Sequence, residues 1–270
     1  MALFVTASIL TVSIATGSAG AGALAPATPA SGPEAVRDTP ALVVAPDSVP
    51  EAGWFHLTGR AVPLGTAMLR YRNVDRLVQT GDTFHPPGPL SLWFRAPGAP
   101  GSAITIRVEA LNRWGSVIGT IGTVTVVTGN AMLPLPQGTG TGKRMVIDSD
   151  AQQVWLVDAD DTVRDSFLMS GRRLPTASGF DQPGIFTVYS KSRHMQYCAG
   201  RCGTAEYMVR YQRTTVSSVG THSLPAEAGQ LVQGVDDLGW PLSHGCTRLE
   251  ASKAEAVYRW ATIGTIVIVV

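Results

Sequence analysis

Leu242-Ser243-His244-Gly245-Cys246-Thr247-Arg248-Leu249, with Gly220-Thr221-His222-Ser223 upstream, holds the chemistry of this 270-residue chain. A thiol attacks carbon only as its thiolate, so it needs a base or a positive field beside it. Cys246 is therefore a candidate nucleophile, and His222, on a strand-like segment, a candidate proton acceptor. The alternative is a buried core cysteine near a core histidine. His244 competes for the role of base, because side chains two apart on an extended strand share a face. Gly245 allows close backbone approach, and the N–H groups of Gly245 and Cys246 are natural oxyanion donors supported by Ser243. Arg248, two residues past Cys246, has a planar fork suited to a substrate carboxylate or, the favoured reading, to a structural salt bridge.

Away from this motif, composition excludes several function classes. The chain is 44% hydrophobic and 15% charged, with a net charge of +1 and no basic block. Phosphate binding needs clustered Lys and Arg, so nucleic acid is not expected as a partner, nor is a polybasic membrane patch. Residues 1–25 carry no charge and close on small residues at Ala21-Gly22-Ala23-Leu24-Ala25. That is the apolar part of a secretory signal, or an N-terminal anchor, and it predicts an exported, cell-wall location. Ile266–Val270 is apolar but far too short to span a bilayer.

An exported chain sits in an oxidising compartment, where Cys198 and Cys202, with three residues between them, are expected to form a disulfide. Free thiols come next, and a zinc site with His194 last, for want of a fourth ligand. Asp158, Asp160 and Asp161 read as a turn rather than a calcium loop. No metal or organic cofactor is called for.

The pattern is mainly β. Residues 26–40 read as a flexible Ala/Pro/Ser-rich lead. From 41 to 128 short strands alternate with turns, as in Ile104–Ala110, and predict an immunoglobulin-like β-sandwich without a disulfide. Its Trp54 and Trp93 are expected in the core rather than in a sugar-binding platform. His56, His85 and His194 have no partner pattern and are read as surface or structural. Residues 129–142 read as a linker, and 143–270 as a second β-rich domain. One helix is clear there: Ala254, Val257, Tyr258 and Ala261 form an apolar stripe, with Ser252 and Glu255 as a capping box and Gly264 past its end.

His222, a gap, then Ser243-His244-Gly245-Cys246-x-Arg248 resembles the signature of the L,D-transpeptidase (YkuD-like) catalytic domain. Those enzymes remodel bacterial peptidoglycan. The likeness covers about Lys143 to Val270. Gln153–Asp158, Gln182–His194 and Gly264–Val267 read like actinobacterial members. The segment between His222 and Ser243 is longer than usual, and Arg248 stands where Asn is commoner. The resemblance implies Cys246 as nucleophile, His222 as base with its ring oriented by the Ser223 carbonyl, and His244 in support. It also implies a peptidoglycan tetrapeptide stem as donor, a side-chain amine of a neighbouring stem as acceptor, a 3–3 cross-link as product, and carbapenem-type β-lactams as covalent inhibitors. An L,D-carboxypeptidase, a protein-to-peptidoglycan attachment enzyme, and a decayed wall-binding protein are the alternatives. The loop Pro225–Pro241, with Gly229, Gly234 and Gly239, is expected to be a hinged lid over the thioester.

Overall fold

Alternating patterns in the first half build two antiparallel sheets. The computed structural model describes residues 43–44, 54–59, 62–96, 101–128, 132–172, 183–199, 201–214 and 217–270. The expected signal and the lead after it lie outside these residues. One sheet joins β1 (Val43–Val44), β2 (Trp54–Gly59) and β5 (Leu90–Arg95) in the order β1-β2-β5. The other joins β3 (Met68–Asn73), β4 (Thr80–Phe84), β6 (Ala103–Leu111) and β7 (Val117–Val127) in the order β4-β3-β6-β7. Phe55, Leu57, Leu92 and Phe94 of the first sheet share one apolar cluster with Leu69, Tyr71, Ile106 and Val108 of the second. Period-two alternation sends the remaining side chains outward. That corrects the reading of the tryptophans. Trp93 faces out, 56% exposed, with its ring stacked 4.1 Å from His56, and Trp54 is half-buried.

From β8 (Arg144–Asp148) onward two further sheets enclose a second core. β8, β9 (Gln153–Val157), β10 (Val163–Leu168), β11 (Gly184–Thr187) and β18 (Ile266–Val269) run in the order β10-β9-β8-β18-β11. β12 (Ser190–Ala199) and β13 (Arg201–Arg213) form a long hairpin. Along its other edge β13 pairs with β14 (Ser218–Ser223), which leads to β17 (Thr247–Leu249), and with β15 (Ala226–Glu227), which leads to β16 (Gln230–Leu231). The core between the sheets holds Met145, Val154, Leu156, Val209, Val219 and Leu249, closed by Ala254 and Val257 of α1 (Ala251–Trp260) and by Ala261 just past its end.

Two local expectations change. α1 begins at Ala251 with Glu250 as N-cap, because β17 runs straight into it; the Ser252 hydroxyl donates to the Glu250 carboxylate, and Glu255 pairs with Arg259. The helix thus starts ahead of the capping box. In the expected linker, Leu133 and Leu135 pack against Trp155 and Val157, and Leu133 bonds the Gln153 amide through both its backbone groups. This explains why every residue of β9 is buried: one face looks to the core, the other to this segment.

The two halves are tied together inside Pro40–Val270. Arg95, on the outer face of β5, is buried with Nη1 donating to the Ala151 carbonyl and Nη2 to Gln153 Oε1. Trp240, from the far half, is wholly buried within the sandwich's own cluster, 5.8 Å from Tyr71.

Candidate active site

Strand pairing brings the two motifs together. β14 and β17 run parallel, with Thr221 opposite Thr247 and His222 opposite Arg248. Both threonines are fully buried, and the Tyr211 and Thr247 hydroxyls lie 3.4 Å apart, which fixes the core face. Alternation then turns His222 and Arg248 to the opposite face, where they line one cleft with Cys246. Gly220 makes the pairing possible, since a Cβ there would lie 2.2 Å from the Val209 carbonyl oxygen of β13.

His222 is held in one state. Its Nδ1–H donates to the Ser223 carbonyl at 2.6 Å, which leaves the Nε2 lone pair free to accept a proton. Burial, with help from the Arg248 and Arg210 charges, pushes its pKa down to about 4, so the ring is neutral at physiological pH. The Ser223 hydroxyl in turn accepts the Glu206 N–H at 2.9 Å. Cys246 is half-buried, its Sγ 3.8 Å from the Ser218 carbonyl. His244 is exposed at the rim of the same cleft.

The groups flanking Cys246 are engaged with one another. The Gly245 N–H donates to Ser243 Oγ at 3.1 Å, so one of the two supposed oxyanion donors is engaged. Arg248 Nη1 donates to Gln233 Oε1 at 2.7 Å and to the Leu242 carbonyl at 3.1 Å. The acidic turn is structural, as expected: Asp158 takes Arg164 and the Trp260 indole, Asp160 takes Thr162, and Asp161 takes Arg144. Cys198 and Cys202 are bridged at 2.02 Å across the tip of the β12–β13 hairpin, and His194 lies against Glu206, which removes the zinc reading. No group of three metal-ligating side chains occurs among the described residues.

The cleft holds about 800 Å³, and both halves of the chain form it. Cys246, His222, His244 and Arg248 meet Tyr197, Glu227 and Gln233 on the far half and Arg70, Arg72 and Asp82 on the sandwich. Residues 142–269 match the family model of the YkuD L,D-transpeptidase catalytic domain. They belong to that family.

Among solved structures, the chain is similar to an L,D-transpeptidase from Mycobacterium smegmatis, 21% identical over 85% of this chain and 99% of that one, with a TM-score of 0.39. It is similar also to an L,D-transpeptidase solved in complex with imipenem, 18% identical over 86% of this chain and 99% of that one, with a TM-score of 0.39. A third is an L,D-transpeptidase from Stackebrandtia nassauensis, 19% identical over 50% of this chain, with a TM-score of 0.36; the match spans 58% of that chain. No curated protein matches.

The L,D-transpeptidase domain thus shares its cleft with residues that sequence reading passed over. Gln233, Tyr197 and Glu227 carry no motif. Arg70, Arg72 and Asp82 stand more than 130 positions ahead of His222 in the chain, and only folding brings them to it.

Proposed function

We propose that this L,D-transpeptidase builds 3–3 cross-links in exported cell wall through an acyl-enzyme on Cys246. The observation that carries the reading is a neutral, buried His222, oriented by the Ser223 carbonyl, on the same strand face as a thiol in a cleft large enough for a peptide. His222 Nε2 takes the Cys246 proton, and the thiolate attacks the carbonyl of the donor's third stem residue. The oxyanion falls to the Cys246 N–H, while Ser243, by occupying the Gly245 N–H, keeps the turn in shape. The C–N bond then breaks, and the His222 proton leaves on the terminal D-Ala amine. A carbapenem, whose strained lactam carbonyl meets the same thiolate, acylates without any acceptor.

Carbapenem treatment followed by intact mass tests the nucleophile. The wild type gains one adduct and Cys246→Ala gains none; an adduct mapped elsewhere overturns the assignment. His222→Ala slows acylation by about 100- to 10,000-fold, and a larger loss in His244→Ala makes His244 the base. Tetrapeptide muropeptides should yield 3–3 dimers, whereas tripeptides alone, at any acceptor concentration, would replace this reading by the carboxypeptidase.

A further inference from the structure

The cleft holds two carboxylates, Asp82 and Glu227, beside the cations Arg70, Arg72 and Arg248. Asp82 is committed: Arg70 grips it with Nε at 2.7 Å and Nη2 at 2.8 Å. Arg72 faces Glu109 at 3.8 Å, and Arg248 is held by Gln233 and the Leu242 carbonyl. Glu227 differs. It is half-buried, it enters no ion pair among the described residues, and its side chain meets only the Tyr197 hydroxyl, at 3.5 Å. Burial and the Glu227 charge push the Tyr197 phenol up while Arg248 opposes them, so Tyr197 lies within the field of both.

The backbone gives Glu227 a defined place at the base of a hairpin. It ends β15, opposite Gln230 of β16, and the two residues between, Ala228 at φ 48° and Gly229 at φ 78°, form the tight turn that joins the strands. Ala226 pairs with Thr204 of the disulfide-bridged hairpin, which anchors the strand. A partly desolvated carboxylate with no cation of its own favours an incoming ammonium. The proposed reaction brings one in, on the acceptor stem.

We propose that Glu227 is the binding residue for the acceptor's ammonium group, and so decides whether amine or water resolves the thioester. This rests on the acyl-enzyme reading above. The acceptor docks as R–NH3+ against Glu227 and loses one proton to solvent. The resulting amine forms the new C–N bond as the C–S bond breaks. His222 Nε2 takes the second N–H proton and returns it to the Cys246 thiolate, which restores the enzyme.

The test follows purified full-chain enzyme with a tetrapeptide donor and increasing amine acceptor, counting cross-linked dimer against hydrolysed tripeptide. In Glu227→Gln the acceptor concentration for half-maximal cross-linking rises at least about tenfold, and tripeptide replaces dimer. Glu227→Asp recovers part of the loss. Hydroxylamine, uncharged at the assay pH, resolves the thioester equally in wild type and Glu227→Gln. Carbapenem acylation, which needs no acceptor, reports that each variant is folded. If Glu227→Gln acylates normally and keeps the wild-type acceptor dependence, the assignment of Glu227 falls alone. If wild type does not acylate on Cys246, the function proposed above falls with it.

Discussion

The twenty residues between His222 and Ser243 split into two stretches that behave oppositely. Residues 226–231 form the small hairpin, with Leu231 59% exposed and nothing within 4 Å of where a Gly229 side chain would begin. Residues 233–240 are tied down at nearly every step. Gln233 bridges Arg248 and the Ser170 hydroxyl; the Gly234 N–H donates to Asp237; the Gly239 N–H donates to the Met169 carbonyl. Asp237, 2% exposed, takes Arg76 at 2.8 Å and Gln79 at 3.1 Å from the sandwich, and Trp240 is buried in the sandwich cluster. The expected hinged lid over 225–241 is therefore corrected. Two of its three glycines are backbone anchors, and only the hairpin around Gly229 is open to move. Nearness to a site does not make a loop a lid; the count of buried side chains and bonded amides does.

The sharpest way to break this contrast is Trp240→Ala. Emptying a fully buried tryptophan position should cost about 3–5 kcal/mol, read as a lower urea midpoint, and should slow carbapenem acylation because Gln233 loses its footing. Leu231→Ala, on the open stretch, should move stability by less than about 0.5 kcal/mol.

His222, beside both stretches, provides a pH test. His222 sits at about 4 when folded against 6.5 in an unfolded chain. Unfolded protein therefore binds the extra proton first as pH falls. The stability is fully present above 6.5, declines between 6.5 and 4 by up to about 3 kcal/mol, and then levels off. His222→Gln should flatten that slope in urea titrations from pH 7 to 4. If His222 takes the Cys246 proton as proposed, acylation should also hold near its plateau well below pH 6.

Asp237→Ala leaves the Gly234 N–H without its acceptor and the Gln79 amide with the Asp236 carbonyl alone, while Arg76, partly exposed, keeps Asp236 and turns to water. A loss of about 2–3 kcal/mol is expected in the same urea assay. A value near zero would mean the strap is held by Trp240 alone. A smaller effect than that of Asp237→Ala belongs to Gly229→Ala. The backbone there is left-handed at φ 78° with open space around it, so only backbone strain of about 1 kcal/mol is at stake.

Much of this was legible before folding. Ile104–Ala110, Val154–Val157 and Ile266–Val270 announced strands by alternation or by unbroken apolar runs, and Ala254–Ala261 announced the helix by its stripe. The misreadings share a cause. Trp93 is aromatic, but its parity on β5 sends it outward. Ser252 and Glu255 have capping chemistry, but a strand that enters the helix directly starts it sooner. Glycines at 234 and 239 suggest freedom, but their N–H groups are spent on Asp237 and Met169.

By itself the sequence determined the strand-rich architecture, the L,D-transpeptidase motif, the pairing of Cys198 with Cys202, and the two residues on which chemistry is proposed. Those follow from periodicity, spacing and intrinsic reactivity, which are local properties. Only the tertiary structure decided that His222 and Cys246 share a face, that the imidazole is neutral, and that the sandwich forms one wall of the cleft. Only it left Glu227 without a cation among the described residues while Asp82 has Arg70. Each of these depends on which groups, far apart in the chain, are brought together away from water. Burial and charge pairing act through space, and no stretch of sequence contains them.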